Sequence, residues 1–191
     1  MTPDSCPTWA EGKRTLLVIV GTDRHPFARA CEWADEWASS NPDHDVLVQH
    51  GFTNAPHVAR GVEILAPQQL GVVLGGAQLV VTHGGPGTIS AVRAAGKYPI
   101  ILPRDPERGE HVDGHQMRFA AWAAEHGLGR VVWDAAQLGS ALEAAGDVSA
   151  TGNVDPTAQV RESVTTLGIR IGEIPAMRRR RRSVLRLGRT R

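Results

Sequence analysis

The first ordered pattern in the chain is an unbroken apolar run, Leu16-Leu17-Val18-Ile19-Val20, preceded by Thr15. It shows no polar alternation and is rich in β-branched residues, which fits a strand buried on both faces. Gly21-Thr22-Asp23 interrupts it. Residues 26–39 then place Phe27, Ala30, Cys31, Ala34 and Trp37 near helical spacing, and Asn41-Pro42-Asp43 ends that helix. The same alternation continues. Strands are predicted at 45–50, 63–65, 79–82, 99–103 and 131–133, and helices at 68–75, 88–95, 115–125 and 135–145. Strands that alternate with helices imply a parallel sheet with helices on both faces. About six strands suit a Rossmann-like α/β sheet, in which ligands sit in the loops that follow the strands. No internal repeat competes with this reading.

The pattern weakens beyond Gly146. Residues 1–13 read as a loose leader and 14–146 as the folded domain. Residues 147–177 read as an extension with room for one helix near 157–166, and 178–191 as an arginine-rich tail. A chain of 191 residues suffices for one ordinary domain and is short for two.

Charge changes the picture at the C-terminus. Residues 178–191 hold eight arginines and no acid, which leaves thirteen basic against twenty acidic residues in the rest of the chain. Such a tail suits an anionic membrane surface, each Arg adding on the order of 1 kcal/mol near anionic lipid. The aromatics are five Trp, three Phe and one Tyr, none of them in the tail, so nucleic acid is not the expected partner. No stretch approaches the roughly 20 apolar residues of a membrane helix. The N-terminus lacks the apolar segment of a secretion signal. Cys6 and Cys31 are too few for a disulfide framework, so a reducing cytoplasm is expected.

Three loops after strands carry unusual chemistry. The first, His83-Gly84-Gly85-Pro86-Gly87-Thr88, joins a strand to a helix. Gly84, Gly85 and Gly87 let backbone amides approach a ligand, Thr88 is placed to cap the helix, and the helix N-terminus suits a phosphate. His83 adds a further donor. No Gly-Lys-Ser/Thr follows, so this is not a Walker loop. A tight strand-to-helix turn without a ligand needs the same glycines.

The second loop crowds Glu110, His111, Asp113, His115 and Gln116 together before a helix. Carboxylate, imidazole and amide groups match the hydroxyls of a sugar ring. A metal competes, but His111, Asp113 and His115 would not share a helical face. No Cys partner or H-E-x-x-H spacing supports one, so no metal is expected. A solvated loop with a capping acid is the plainer alternative. The third loop, Gly21-Thr22-Asp23-Arg24-His25-Pro26-Phe27, follows the first strand, where His25 can reach the same cleft. A turn there needs a glycine in any case. Trp33 and Trp37 read as packing residues, and His44, His50 and His57 as structural or solvent-facing. No G-x-S-x-G elbow supports a serine hydrolase.

On Val20–Phe27, His83–Thr88 and Gly109-Glu110-His111-Val112-Asp113-Gly114-His115-Gln116, the sequence resembles the C-terminal domain of glycosyltransferase family 28 over about residues 14–135. It is most similar to the small split members, which include the catalytic subunit of the dolichol-linked N-acetylglucosaminyltransferase and bacterial exopolysaccharide transferase subunits. The resemblance implies the donor-binding half of a GT-B fold and a hexose-type sugar carried by UDP, with no other cofactor. It also implies a lipid-linked or polysaccharide acceptor and a membrane-anchored partner that holds it. His83–Thr88 would hold the diphosphate, and His115 with Gln116 the sugar. Gly21, Thr22, Asp23, Glu110, His111 and Asp113 join the donor-site candidates, and His25 and His83 the catalytic ones. Many relatives carry a ribose-binding acid in the helix after the glycine loop. Here that position is Ala91, beside Ser90, with Glu110 as a substitute candidate. This departure keeps a non-catalytic nucleotide-sugar-binding or scaffold subunit as the alternative.

Overall fold

The computed structural model describes residues 6–151, and side chains as far as residue 145. Six strands form one sheet: β1 (Arg14–Ile19), β2 (His44–Gln49), β3 (Arg60–Val62), β4 (Leu79–Thr82), β5 (Ile100–Ile101) and β6 (Arg130–Val131). Their order is β3-β2-β1-β4-β5-β6, and every neighbouring pair is parallel. The helices are α1 (Ala28–Ser40), α2 (Pro67–Gly76), α3 (Pro86–Ala94), α4 (His115–Glu125) and α5 (Ala135–Thr151). A short 3-10 turn, Pro106–Arg108, precedes α4.

Period-two alternation along the central strands divides the core. Leu16, Val18 and Val20, with Val46, Val48, Leu79 and Val81, face α1 and α5 through Phe27, Ala30, Ala34, Leu138 and Leu142. Leu17, Ile19, Leu47 and Val80 face the other way, onto Val73 and Leu74 of α2 and Val92 of α3. Ile101 carries that second face onto Ala120 and Ala123 of α4. Burial on both faces is why β1 reads as a continuous apolar run. Each fully buried Leu, Ile or Val contributes about 1.5–3 kcal/mol. Trp33 and Trp37 pack at the margin of the first layer, as expected.

The chain lays down β1, β2 and β3 in one direction, then returns to place β4 on the other side of β1. The loops after β1 and β4 therefore diverge and open a crevice between them, which is where an open α/β sheet takes ligands.

Three local expectations need correction. The third strand lies at Arg60–Val62, not at 63–65. Its partner β2 decides this, pairing Leu47 with Arg60 and Gln49 with Val62. Leu65 is apolar because it packs against the α2 layer, not because it is in the sheet. The leader is not loose over its described part: Trp9 donates from Nε1 to the Val73 carbonyl at 3.1 Å and lies against Gly76. Nearby, Asp45 accepts from the Ala10 N–H at 2.7 Å and from Arg60 Nε at 2.8 Å. Finally, α5 continues past 146 to Thr151. Residues 1–5, the rest of the 147–177 extension and the arginine tail lie outside the described residues. Among the described residues, no helix is long and apolar enough to cross a membrane.

Candidate functional site

The crevice between the loops after β1 and β4 is an open cleft of about 490 Å³. Gly21, Thr22 and Asp23 line one side, and His83, Gly85, Gly87 and Thr88 another. Gln116 at the start of α4 and Gln49 at the end of β2 complete the polar lining, with Leu65 and Leu70 as apolar wall. Three loops that the sequence singled out separately thus converge on one space.

The β1 loop is held open by Gln49. Its side chain accepts from Gly21 N–H at 3.0 Å and donates to the Gly21 carbonyl at 3.1 Å and the Glu63 carbonyl at 2.8 Å. Gly21 adopts φ +88°, and a Cβ there would stand 2.7 Å from His83 Nε2. The glycine is needed on both counts.

The glycine loop works differently from the simplest expectation. Gly85 and Gly84 are required less by a ligand than by neighbouring side chains. A Cβ on Gly85 would lie 2.2 Å from His83 Cε1, and one on Gly84 2.8 Å from the Gln116 carbonyl. Gly87 has nothing within 4 Å of its Cβ position and leaves the helix end open to the cleft. Thr88 does not cap α3. The N-cap is Gly85, with Pro86 at the first helical position and Thr88 already inside the first turn. The amides of Gly87 and Thr88 therefore have no acceptor within the helix and carry its positive end into the cleft.

His83 is enclosed by these glycines. Its Nε2 stands 3.0 Å from Thr88 Oγ1 and its Nδ1 3.3 Å from Gln116 Oε1. Burial lowers its pKa to about 4; the Gln116 contact opposes the shift and the Arg104 charge adds to it. The imidazole is neutral at pH 7, with both nitrogens engaged by uncharged side chains. It orients Thr88 and Gln116 and brings no positive charge to a diphosphate.

The other predicted residues form a neighbouring group, outside the cleft lining. Asp23 joins the two: its Oδ1 lies 2.6 Å from His25 Nδ1, and its Oδ2 3.4 Å from His111 Nε2. Burial alone would raise the Asp23 pKa, but the His25 backbone N–H and ring, then His111 and Arg104, bring it below the ordinary carboxylate value. Asp113 accepts from the His115 backbone N–H at 2.9 Å and lies 2.5 Å from His115 Nδ1, which holds its carboxyl low as well.

Glu110 leaves the list of donor ligands. It is 5% exposed, and both oxygens are committed to Arg29, at 2.6 Å from Nε and 2.9 Å from Nη2. Oε2 also accepts from the Asp105 N–H at 2.8 Å. It is a structural anion and cannot replace an acid at Ala91. The helical argument against a shared face for His111, Asp113 and His115 also fails. Residues 109–114 precede α4, and the three side chains converge.

Arg104 was not singled out in the sequence. It is fully buried, three residues after β5, and donates to the carbonyls of Val20, His25 and Glu110 at 3.0, 2.5 and 2.9 Å. Its guanidinium also covers the Phe27 ring at 4.9 Å. One planar cation thereby ties the β1 loop to the 110 segment. Nothing in the local sequence marks it, because a Pro-Arg after a strand usually enters solvent.

The model of the glycosyltransferase family 28 C-terminal domain matches residues 15–162. No curated protein matches the chain. Among solved structures, the glycosyltransferase of kitacinnamycin superposes with a TM-score of 0.60 at 18% identity, covering 91% of this chain and 45% of that one. The calicheamicin glycosyltransferase CalG4 gives 0.55 at 18%, with coverage of 86% and 45%. The spinosyn rhamnosyltransferase SpnG, solved with spinosyn aglycone, gives 0.52 at 19%, with coverage of 88% and 48%. At such identities the likeness is one of fold, a GT-B half. The chain spans about half the length of these neighbours.

Proposed function

Because this chain belongs to the glycosyltransferase family 28 C-terminal domain family, we propose that it is the donor-binding half of a sugar transferase using a UDP-sugar. The observation that carries this reading is the cleft at the reversal of strand order, where the free amides of α3 meet His83, Thr88 and Gln116. A diphosphate placed against Gly87 and Thr88 meets the positive end of a helix. The same dipole stabilises the charge that develops on the leaving UDP. Gln116, fixed by His83, offers an amide to the donor sugar.

In the transfer, an acceptor hydroxyl oxygen attacks the anomeric carbon and the bond to the diphosphate breaks. The hydroxyl proton goes to a general base. His25 suits that role: Asp23 holds its Nδ1 at 2.6 Å, and one quarter of its side chain is exposed. A carboxylate that orients an imidazole leaves Nε2 as the acceptor. The acceptor is lipid-linked or polysaccharide. A membrane-anchored partner supplies the other half of the active site and places the chain at the cytoplasmic membrane face. The arginine-rich 178–191 segment adds affinity for anionic lipid.

One observation favours a second reading, a non-catalytic nucleotide-sugar-binding subunit. Ala91 stands where many relatives carry an acid, and Glu110 is committed to Arg29. Calorimetric titration of the full chain with UDP, AMP and NAD tests the shared premise. Selective UDP binding that Thr88→Val and Gln116→Ala each weaken supports a donor site, and equal response to all three ligands rejects it. Transfer in the complex reconstituted with its partner then separates the readings: loss of turnover in His25→Ala, with UDP binding kept, favours the enzyme.

A further inference from the structure

The segment between the 3-10 turn and α4 carries chemistry that the cleft does not use. His111, Asp113 and His115 each present one ligand atom, and the three atoms lie within 4.8 Å of one another. Asp113 Oδ1 is 2.5 Å from His115 Nδ1 and 3.9 Å from His111 Nδ1. The two imidazoles meet edge to face, with centroids 4.6 Å apart. An Asx turn accounts for the contact between Asp113 and the first residue of α4. It does not account for the second imidazole, which is nearly buried and faces the same carboxylate.

The rest of His111 is arranged in a way that matters. Its Nε2 lies 3.4 Å from Asp23 Oδ2, on a different loop. The Asp113 backbone N–H donates to His111 Nδ1 at 3.3 Å, so Nδ1 is the unprotonated nitrogen and lies on the side of Asp113 and His115, where an ion would replace that backbone contact. A carboxylate behind an imidazole that turns its second nitrogen to a common point is the outer-sphere arrangement of metal-binding histidines. Asp23 is itself anchored through His25, so the His111 ring is oriented before any ligand arrives.

We propose that His111, Asp113 and His115 bind a divalent transition ion of the zinc, cobalt or nickel class, with Asp23 as the outer-sphere carboxylate that orients His111. Two imidazoles and one carboxylate select borderline ions over magnesium or calcium, which take oxygen ligands. Three protein ligands leave coordination positions for water or another ligand. The half-exposed Asp113 and His115 leave the site open to solvent. The ion would clip the 111–115 segment one residue before Gln116, and through Asp23 would couple to the loop that holds His25. This inference does not depend on the donor reading, because none of the three ligands lines the cleft; Asp23 alone touches both.

The test is titration of the full chain with Co²⁺ in the absence of nucleotide, followed by visible d–d absorption and calorimetry. One equivalent of cobalt binds with a ligand-field band of mixed nitrogen and oxygen coordination, zinc displaces it, and magnesium does not. His115→Ala and His111→Ala abolish the band, and Asp23→Asn weakens affinity roughly tenfold to a hundredfold. His57→Ala, at an exposed histidine elsewhere, leaves it unchanged. Asp113→Asn keeps the segment's size, so its loss of cobalt with an intact circular dichroism spectrum separates ligation from misfolding. Absence of a stoichiometric band in the wild-type chain, or a band that survives both His115→Ala and His111→Ala, overturns the proposal.

Discussion

His83 and His115 stand on either side of Gln116 and live in opposite surroundings. His83 is wrapped by Gly21 and Gly85, meets only uncharged side chains, and is driven neutral, with a pKa of about 4. His115 is nearly half exposed and rests against a carboxylate. The same side chain is therefore a fixed positioning element in one place and an accessible ligand in the other. The glycine loop is crowded, and substitutions there should cost stability. The Asp113–His115 stretch is open, and substitutions there should cost only chemistry.

The largest effect is expected behind both regions, at the anion that ties the 110 segment to α1. Glu110→Ala leaves Arg29 without its charge partner and should cost about 3–5 kcal/mol by urea unfolding. A change below about 1 kcal/mol would mean that the pair is solvated in solution.

The crowded side also predicts a pH dependence. The unfolded chain takes up a proton on His83 near pH 6.5, whereas the folded chain resists until about 4. Stability from this group is thus complete above 6.5 and declines as pH falls towards 4, by up to about 3 kcal/mol. Carboxylates with lowered pKa, such as Asp23, act in a separate window below their ordinary value of 3.8. His83→Gln should flatten the slope between pH 6.5 and 4; an unchanged slope would assign it to another group.

Gly85→Ala comes next. Its Cβ would strike His83 Cε1 at 2.2 Å, so the ring must move and release Thr88 and Gln116. A loss of about 1–3 kcal/mol is expected, as for overpacking. Removing the obstacle in the double variant with His83→Ala should recover part of it, and a double-mutant cycle in thermal melts measures that coupling. Strict additivity would show that the clash is relieved elsewhere.

The smallest effect belongs to the open side. His115→Ala should change unfolding free energy by less than about 0.5 kcal/mol. A larger loss would move His115 from the chemistry of the segment into its structure, and would sharpen the contrast in the opposite sense.

Much of this was legible in the residues. Strand 79–82 and helix 115–125 fall where hydrophobic periodicity places them, because each buries one consistent face or both. The glycine loop and the Glu-His-Val-Asp-Gly-His-Gln segment announced themselves by composition and by their place after strands. Edge strand β3 did not, because Arg60-Gly61-Val62 is half-solvated and owes its conformation to hydrogen bonds with β2. Trp9 gave no sign of its partner, since the Val73 carbonyl is 64 residues away.

The amino-acid order alone fixed the alternation of buried strands and amphipathic helices, and with it a parallel α/β sheet. Those signals are local, set by the period of side chains along a strand or a helix. The tertiary structure decided which polar residues act on a ligand and which hold the scaffold. Glu110 and Arg104 look like site residues or solvent residues in a string of letters. Only the approach of Arg29, and of three carbonyls from separate loops, makes them internal supports. In the same way, a loop in place of a helix turned His111, Asp113 and His115 from diverging side chains into one converging group. The reason is physical: charge and hydrogen-bond satisfaction depend on distances across the fold, which sequence spacing does not encode.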